Sequence, residues 1–152
     1  MPLCPTEALE EQVKKAGVAN TICAPDEEAY LDIEWWRGLA GFDWCVAVTQ
    51  GVGRTVDYVI DPGLQLAKRG LIILDRLTFL EPTHKRRNFL TESPLSELII
   101  LNPRPEFRSD QLKAKDSVTS AWFVFDKLKN PKEATKIEYA VSWQRPRALL
   151  RE

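Results

Sequence analysis

The most constraining feature of the sequence is a regular alternation of short apolar runs with helical stretches between Phe42 and Trp143. The run DWCVAVT precedes RTVDYVIDPGLQLAKRG, which has the period of a helix interrupted near Pro62 and stopped by Gly70. LIILDRLTFL, SELIILNPR, TSAWFVFDKL and TKIEYAVSWQ follow as predicted strands, and EPTHKRRNFLTES is a basic connection with one or two helical turns. The alternation predicts an α/β fold with a parallel-cored sheet, and the short links between the last strands predict an antiparallel edge.

Three further elements are predicted before Phe42. PTEALEEQVKKA has the pattern of a short amphipathic helix with Leu9 and Val13 facing inward, and VANTICA is a short β-rich run that stops at Pro25. DEEAYLDIEWWRGLAG places apolar residues at helical spacing and ends in glycines. We therefore expect helix, strand and helix before the strand that starts near Phe42.

The length and the N-terminal sequence limit the class of protein. A chain of 152 residues has the size of one domain and buries about two thirds or more of its extended surface on folding. The longest apolar run falls short of the roughly 18 residues of a membrane span, and MPLCPTEALEEQVKK lacks the pattern of a signal peptide. We expect a single domain over residues 1–152, located in the cytoplasm and independent of membranes.

The cysteines and the histidine do not form a metal or disulfide pattern. Cys4, Cys23 and Cys45 are widely spaced without a CxxC pair, and His84 is the sole histidine. Cys45 alternates with its neighbours inside a predicted strand, as a small buried apolar residue does. The sequence therefore predicts no metal site and no cysteine nucleophile.

The near-zero net charge conceals an asymmetry along the chain. Residues 1–62 hold 4 Lys and Arg against 11 Asp and Glu, whereas residues 63–152 hold 17 against 11, giving −7 and +6. Such a division is typical of a basic nucleic-acid face beside an acidic one, of a self-complementary dimer, or simply of solvated surfaces.

The order of motifs from Phe42 to Trp143 resembles the C-terminal half of adenine-specific, amino-group DNA methyltransferases of phages and bacteria. The resemblance is carried by FDWCVAVTQGVG, a helix ending LAKRG, the run LIILDRLTFLEPTHKRRNFL, and SAWFVF. In that family a strand ending D-W-V-V-T leads into Asn-Pro-Pro-Phe or Tyr, followed by L-L-R-L-x-F-L-E, a basic R-R pair and a late A-W-F-V-W strand. It implies a Rossmann-like methyltransferase-type sheet, abbreviated here, with antiparallel C-terminal edge strands.

The resemblance also shows that the catalytic tetrapeptide is changed at every position. Gln50 stands where the family has Asn, Gly51 and Val52 where it has two prolines, and Gly53 where it has the aromatic residue. In the family the polar side chain and a proline carbonyl orient the target amino group, while the aromatic ring stacks on the flipped base. Gln50 accepts hydrogen bonds from one methylene further away, and Gly53 has no stacking face. The resemblance therefore implies a degenerate catalytic site.

The donor side of such an enzyme is also altered. Methyltransferases of this fold hold S-adenosylmethionine over a glycine-rich turn after the first strand, with an acidic residue on the ribose. No such turn precedes Phe42, and the acidic cluster Asp26, Glu27 and Glu28 fits the start of a helix as well as a ribose site. We expect no bound cofactor, or S-adenosylmethionine if the protein is active.

The basic half holds the candidate contacts to nucleic acid or substrate. Basic side chains where the parallel strands end would neutralise phosphates, and Phe79 and Phe89 either stack on a base or belong to the core. QGVGR is in addition a weak candidate for a phosphate-binding turn. The candidate binding residues are Arg54, Arg76, Phe79, Lys85, Arg86 and Arg87.

Two hypotheses follow from these patterns. The first is a methyltransferase-like binding or interaction module without activity, with nucleic acid as a possible partner. The second is an active S-adenosylmethionine-dependent DNA adenine methyltransferase, alone or completed by a partner chain that supplies the donor site. An abbreviated sheet leaves an apolar edge or face uncovered, so we also expect a homodimer.

Overall fold

The computed structural model describes residues 2–4, 10–11, 14–15, 17, 22–23, 32–39, 41–48, 55–81, 83–93, 95–102, 104, 118–130 and 132–141. Its strands are β1 (Pro2–Cys4), β2 (Ile22–Cys23), β3 (Trp44–Val48), β4 (Gly70–Arg76), β5 (Glu97–Asn102), β6 (Ser120–Asp126) and β7 (Lys136–Val141). Its helices are α1 (Ile33–Gly38), α2 (Thr55–Leu66) and α3 (His84–Glu92), with a 3₁₀ turn at Leu77–Leu80. The protein is an α/β protein with one mixed sheet.

The sheet has seven strands in the order β2-β1-β3-β4-β6-β5-β7. β2, β1, β3 and β4 are parallel neighbours, and β7 is parallel to β5. β6 runs antiparallel to both of its neighbours, β4 and β5. Six strands therefore run in one direction, and their carboxyl ends define one edge of the sheet, called the carboxyl edge below; the opposite edge is the amino edge.

The sequence predicted antiparallel strands at the side of the sheet, but the antiparallel strand β6 lies inside it. β6 reads SAWFVFD and is apolar on both faces, with Ala121, Phe123 and Phe125 buried and Trp122 and Val124 half-buried. A strand that is apolar on both faces is most stable between two others. In β7, Lys136 and Glu138 alternate with apolar residues and most of the described side chains are exposed, as is typical of an outer strand.

The buried core lies on one face of the sheet. The parallel and antiparallel registers place Cys45, Leu71 and Phe125 side by side on this face, and Ala47, Ile73 and Phe123 in the next row. α2 packs here, because a Cβ added to its Gly63 would lie 3.2 Å from the Leu71 side chain and 3.4 Å from Cys45 Sγ. The 3₁₀ turn and α3 cover β6, through ring contacts of Phe79 with Phe123 and of Phe89 with Phe125.

α1 ends at Gly38, as predicted, but it begins at Ile33, seven residues after the start of the predicted stretch at Asp26. The Asp32 carboxylate caps it by accepting a hydrogen bond from Glu34 N at 2.9 Å. Trp36 is buried in the core cluster, and the chain reaches β3 through Gly41, whose φ of +110° only glycine adopts easily. Of the earlier predicted helix, Glu10, Glu11, Lys14 and Lys15 are helical, whereas Leu9 and Val13 lie outside the described residues.

Four predictions for the central part differ from the structure. α2 continues through Pro62 instead of breaking there, and Gly70 opens β4 rather than ending the helix. The predicted strand LIILDRLTFL ends at Arg76, after which Leu77–Leu80 form the 3₁₀ turn that brings Phe79 into the core. The basic connection forms a nine-residue helix, α3, which is longer than the one or two turns expected.

Candidate nucleic-acid interface at the carboxyl edge

The carboxyl edge carries two exposed arginines that the sequence predicted as contacts. Arg76 ends β4, and its backbone N–H is held by Asp75 Oδ1 at 2.6 Å. Arg87 lies in the first turn of α3 and is exposed. Arg86, the residue before Arg87, contacts Phe79 in the 3₁₀ turn that directly follows Arg76, so the first turn of α3 lies close to the carboxyl end of β4.

The start of α3 is fixed by a side-chain cap. Thr83 Oγ1 accepts a hydrogen bond from Arg86 N at 3.2 Å, and Thr83 O accepts one from Arg87 N at 2.9 Å. The first turn of α3 contains no acidic residue. Its sequence HKRR instead places positive charge at the end of the helix dipole that is already positive. Positive side chains at a helix N-terminus destabilise the helix when no anion is bound, and the same arrangement favours anion binding.

Arg86 is held against the core instead of extending into solvent. Its guanidinium carbon lies 5.2 Å from the centroid of the Phe79 ring, and its Nη1 donates to Phe79 O at 3.4 Å. The side chain is half-buried. The Arg86 side chain therefore links the first turn of α3 to the 3₁₀ turn that follows β4.

Phe79 is part of the hydrophobic core. Its side chain is 1% exposed, and its ring contacts those of Phe89, Phe123 and Phe125 at centroid distances of 6.4, 4.8 and 6.4 Å. Stacking on a base would require this cluster to open, so we omit Phe79 from the candidate interface. Phe89, the other phenylalanine considered for stacking, is likewise buried.

The remaining predicted site residues have no described side chain. Lys85 lies within α3, but its side chain is outside the described part, as are Gln50, Gly51, Val52, Gly53 and Arg54. The described strand β3 ends at Val48, two residues before Gln50. The tetrapeptide Gln50 to Gly53 therefore follows the carboxyl end of β3 in the chain. The acidic cluster Asp26, Glu27 and Glu28 also lies outside the described residues.

A second charged cluster, which the sequence analysis missed, lies at the amino edge. Arg69 Nε and Nη2 donate to the two carboxylate oxygens of Asp126 at 3.2 and 3.1 Å. These bonds, followed by that from Leu128 N, hold the pKa of Asp126 below its usual value, and the same pair raises the pKa of Arg69. Arg69 also lies over the Trp44 ring at 5.7 Å. Aligning LAKRG with FDKLK as antiparallel neighbours would have indicated the pair.

A cleft of about 200 Å³ adjoins this cluster, but its cations already have partners. Lys127 Nζ donates to the carbonyls of Leu64 and Ala67 at the end of α2, at 3.1 and 2.8 Å. Lys129 Nζ donates to Ser96 O and Ala134 O at 2.7 and 2.9 Å. These bonds satisfy terminal carbonyls of the helix and the loops. The cluster therefore joins α2, β6 and the start of β5.

The buried thiol of Cys45 is a poor nucleophile. Burial raises its pKa to about 12, so the thiolate that nucleophilic chemistry requires does not form near neutral pH. The described side chains contain no group of three or more His, Cys, Asp or Glu that could hold a metal ion. None of the helices described above is long and apolar enough to cross a membrane.

Comparisons with known proteins assign no family to the chain. No protein-family model matches the sequence, and no curated protein matches it.

Proposed function

We propose that the chain is a methyltransferase-like α/β protein with a degenerate catalytic site, which binds nucleic acid at its carboxyl edge and works as a binding module. The single observation that carries this proposal is the basic first turn of α3, held through Arg86 against the 3₁₀ turn that directly follows Arg76. Positive charge at a helix start, beside the carboxyl ends of parallel strands, favours phosphate as the ligand.

The strand order supports a doubly wound, Rossmann-like fold. Parallel strands in the order β2-β1-β3-β4 have a switch point between β1 and β3, where chain connections leave in opposite directions. Doubly wound sheets bind ligands at the carboxyl side of this point. In the sequence, Gln50 to Gly53 come two residues after the end of β3, and in a doubly wound fold the segment after this strand is a candidate ligand contact.

The active alternative is favoured by β1 and β2. The resemblance implies an abbreviated sheet without a glycine-rich donor turn before Phe42, yet these two short strands extend the parallel sheet beyond β3. A sheet that reaches past the switch point provides the scaffold on which a methyl donor would lie. S-adenosylmethionine is therefore the cofactor to test first.

The first test of the proposal is DNA binding by a variant with Arg76→Ala and Arg87→Ala. The parent should bind mixed-sequence duplex weakly, without sequence preference, and lose affinity steeply as salt rises. The double variant should bind more weakly, with a salt slope smaller by about 2, because each lost phosphate contact removes about 0.9 from it. Fluorescence anisotropy across a salt series measures both quantities.

A matched control removes the same charge from the opposite edge. Lys68→Ala with Lys132→Ala changes two exposed lysines near the starts of β4 and β7, and its affinity and salt slope should stay close to those of the parent. Arg86 is left unchanged because it packs on Phe79. Equal losses in both double variants would indicate nonspecific charge attraction and would contradict the proposed interface.

A second test separates the degenerate module from an active methyltransferase. Isothermal titration should give an S-adenosylmethionine Kd no tighter than about 1 mM, and a tritiated methyl-transfer assay on mixed-sequence DNA should give background incorporation. The variant with Gln50→Asn, Gly51→Pro, Val52→Pro and Gly53→Phe should also stay inactive, since orientation acts only on a donor that is bound. Incorporation by the parent would establish the active alternative, and incorporation by the variant alone would reveal an intact donor site.

A further inference from the structure

β7 is the outer strand on one side of the sheet formed by the described residues. Lys136 N donates to Ser96 O at 3.1 Å, so the N–H of Lys136 points inward, towards β5. Backbone groups alternate in direction along a strand, so those of Glu138 also point inward, while those of Ile137 and Tyr139 point outward. The outer edge of β7 therefore presents donors and acceptors that another strand can pair with.

The side chains of β7 separate into an apolar row and a charged row. Ile137 and Tyr139 are 60% and 63% exposed and share a face with Leu98, which lies opposite Ile137 in the register. Lys136 and Glu138 lie on the other face and form an ion pair. Lys136 Nζ also contacts Glu97 Oε1 at 3.3 Å. β7 thus combines exposed apolar surface with one positive and one negative side chain, which are two residues apart.

We propose that β7 pairs antiparallel with β7 of a second copy of this chain, with Ile137 opposite Ile137. In this register the two isoleucines exchange N–H to C=O hydrogen bonds in both directions, because their backbone groups point outward. Lys136 falls opposite Glu138 of the second copy, and Glu138 falls opposite Lys136. The contact is isologous, as a two-fold dimer requires, and it joins two sheets into one.

Charge decides between this register and its neighbour. Lys136 and Glu138 form non-hydrogen-bonded pairs across the interface, where side chains approach most closely and opposite charges stabilise. A slide of two residues in either direction, which moves the two-fold axis by one residue, places Glu138 opposite Glu138 or Lys136 opposite Lys136, and both pairings are unfavourable. The exposed Ile137 is buried against its own copy in the proposed register. The edge is therefore self-complementary in hydrogen bonding, in charge and in apolar contact.

This inference develops the homodimer expected from the sequence, and it is independent of DNA binding at the carboxyl edge. The strand that forms the interface is the outermost one, whereas Arg76 ends β4, a central strand. Measuring DNA affinity on the same samples therefore distinguishes failure of the interface from failure of the proposed function.

The test is a charge exchange followed by sedimentation equilibrium and light scattering. The parent should be a dimer, and Glu138→Lys should weaken dimerisation at least roughly tenfold, because it places two lysines opposite each other at both ends. Glu133→Lys makes the same charge change at an exposed position just before β7 and should leave the dimer intact. Circular dichroism checks that each variant is folded.

Complementation makes the test specific. Lys136→Glu alone should weaken dimerisation as Glu138→Lys does. An equimolar mixture of the two variants should restore the dimer, since both charged cross-strand pairs are then Lys with Glu. If Lys136→Glu does not fold, Ile137→Pro serves instead, because it removes an outward N–H and preserves the bonds to β5. A monomeric parent, an unaffected Glu138→Lys dimer, a mixture that stays monomeric, or a folded Ile137→Pro that still dimerises as the parent does would overturn the proposal.

Discussion

Gly70→Ala is expected to lower the free energy of unfolding by about 3 kcal/mol, the upper end of the usual cost of overpacking. An added Cβ would lie 2.1 Å from the carbonyl oxygen of Phe125 and 2.9 Å from a ring carbon of Trp44. The first contact is with backbone and is far below van der Waals distance, so β4 and β6 would have to separate where Gly70 lies opposite Asp126. Urea denaturation followed by circular dichroism measures the change.

Gly38→Ala is the matched control for this substitution. A Cβ at Gly38 would meet no atom within 4 Å, and this glycine is the last residue of α1. Alanine there should be neutral or should stabilise the protein by up to about 1 kcal/mol, since it restricts the unfolded chain and favours the helix. Equal stability of the two variants would contradict the close approach of β4 and β6.

Phe79→Ala should lower the free energy of unfolding by about 3–5 kcal/mol. Its ring is buried among Phe89, Phe123 and Phe125 and also supports the guanidinium of Arg86, so truncation leaves a cavity and removes a cation–π contact. A loss of this size is a large fraction of the roughly 5–15 kcal/mol that holds a domain folded. Chemical denaturation checks the prediction.

The neighbouring Leu80 provides the comparison. It lies in the same 3₁₀ turn and is 38% exposed, so Leu80→Ala should cost below about 1 kcal/mol. If Phe79→Ala proved as mild as Leu80→Ala while DNA binding fell, the ring would have to be outside the core, and base stacking by Phe79 would return as an explanation.

Most of the strands and helices were predictable because their patterns are local. DWCVAVT and SAWFVF are apolar enough to be recognised as strands, and Trp36 was predicted on the apolar side of α1 and lies in the core. The place of β6 in the sheet was not predictable, because the order of strands depends on pairings between residues far apart in sequence. Its apolar character on both faces was the available indication that it belongs inside the sheet.

The candidate site was less predictable than the fold. LIILDRLTFL has the composition of a single strand, and only tertiary packing turns Leu77–Leu80 into a 3₁₀ turn that buries Phe79. That change removes Phe79 from the exposed candidate contacts and places Arg86 on its ring, whereas Arg76 and Arg87 remain exposed. The pair of Arg69 and Asp126 was missed because it depends on the register of β4 and β6.

The internal position of β6 sets the order in which the sheet is completed during synthesis. The ribosome releases β4 and β5 before Ser120–Asp126, the strand that lies between them. Until that strand emerges, one side of β4 and both sides of β5 have open hydrogen-bonding groups next to apolar surface, since β7 follows later still. This is the condition under which nascent chains aggregate. Completion of the sheet therefore waits for residues 120–126, and a polypeptide released before residue 120 has β4 paired on one side alone and β5 unpaired.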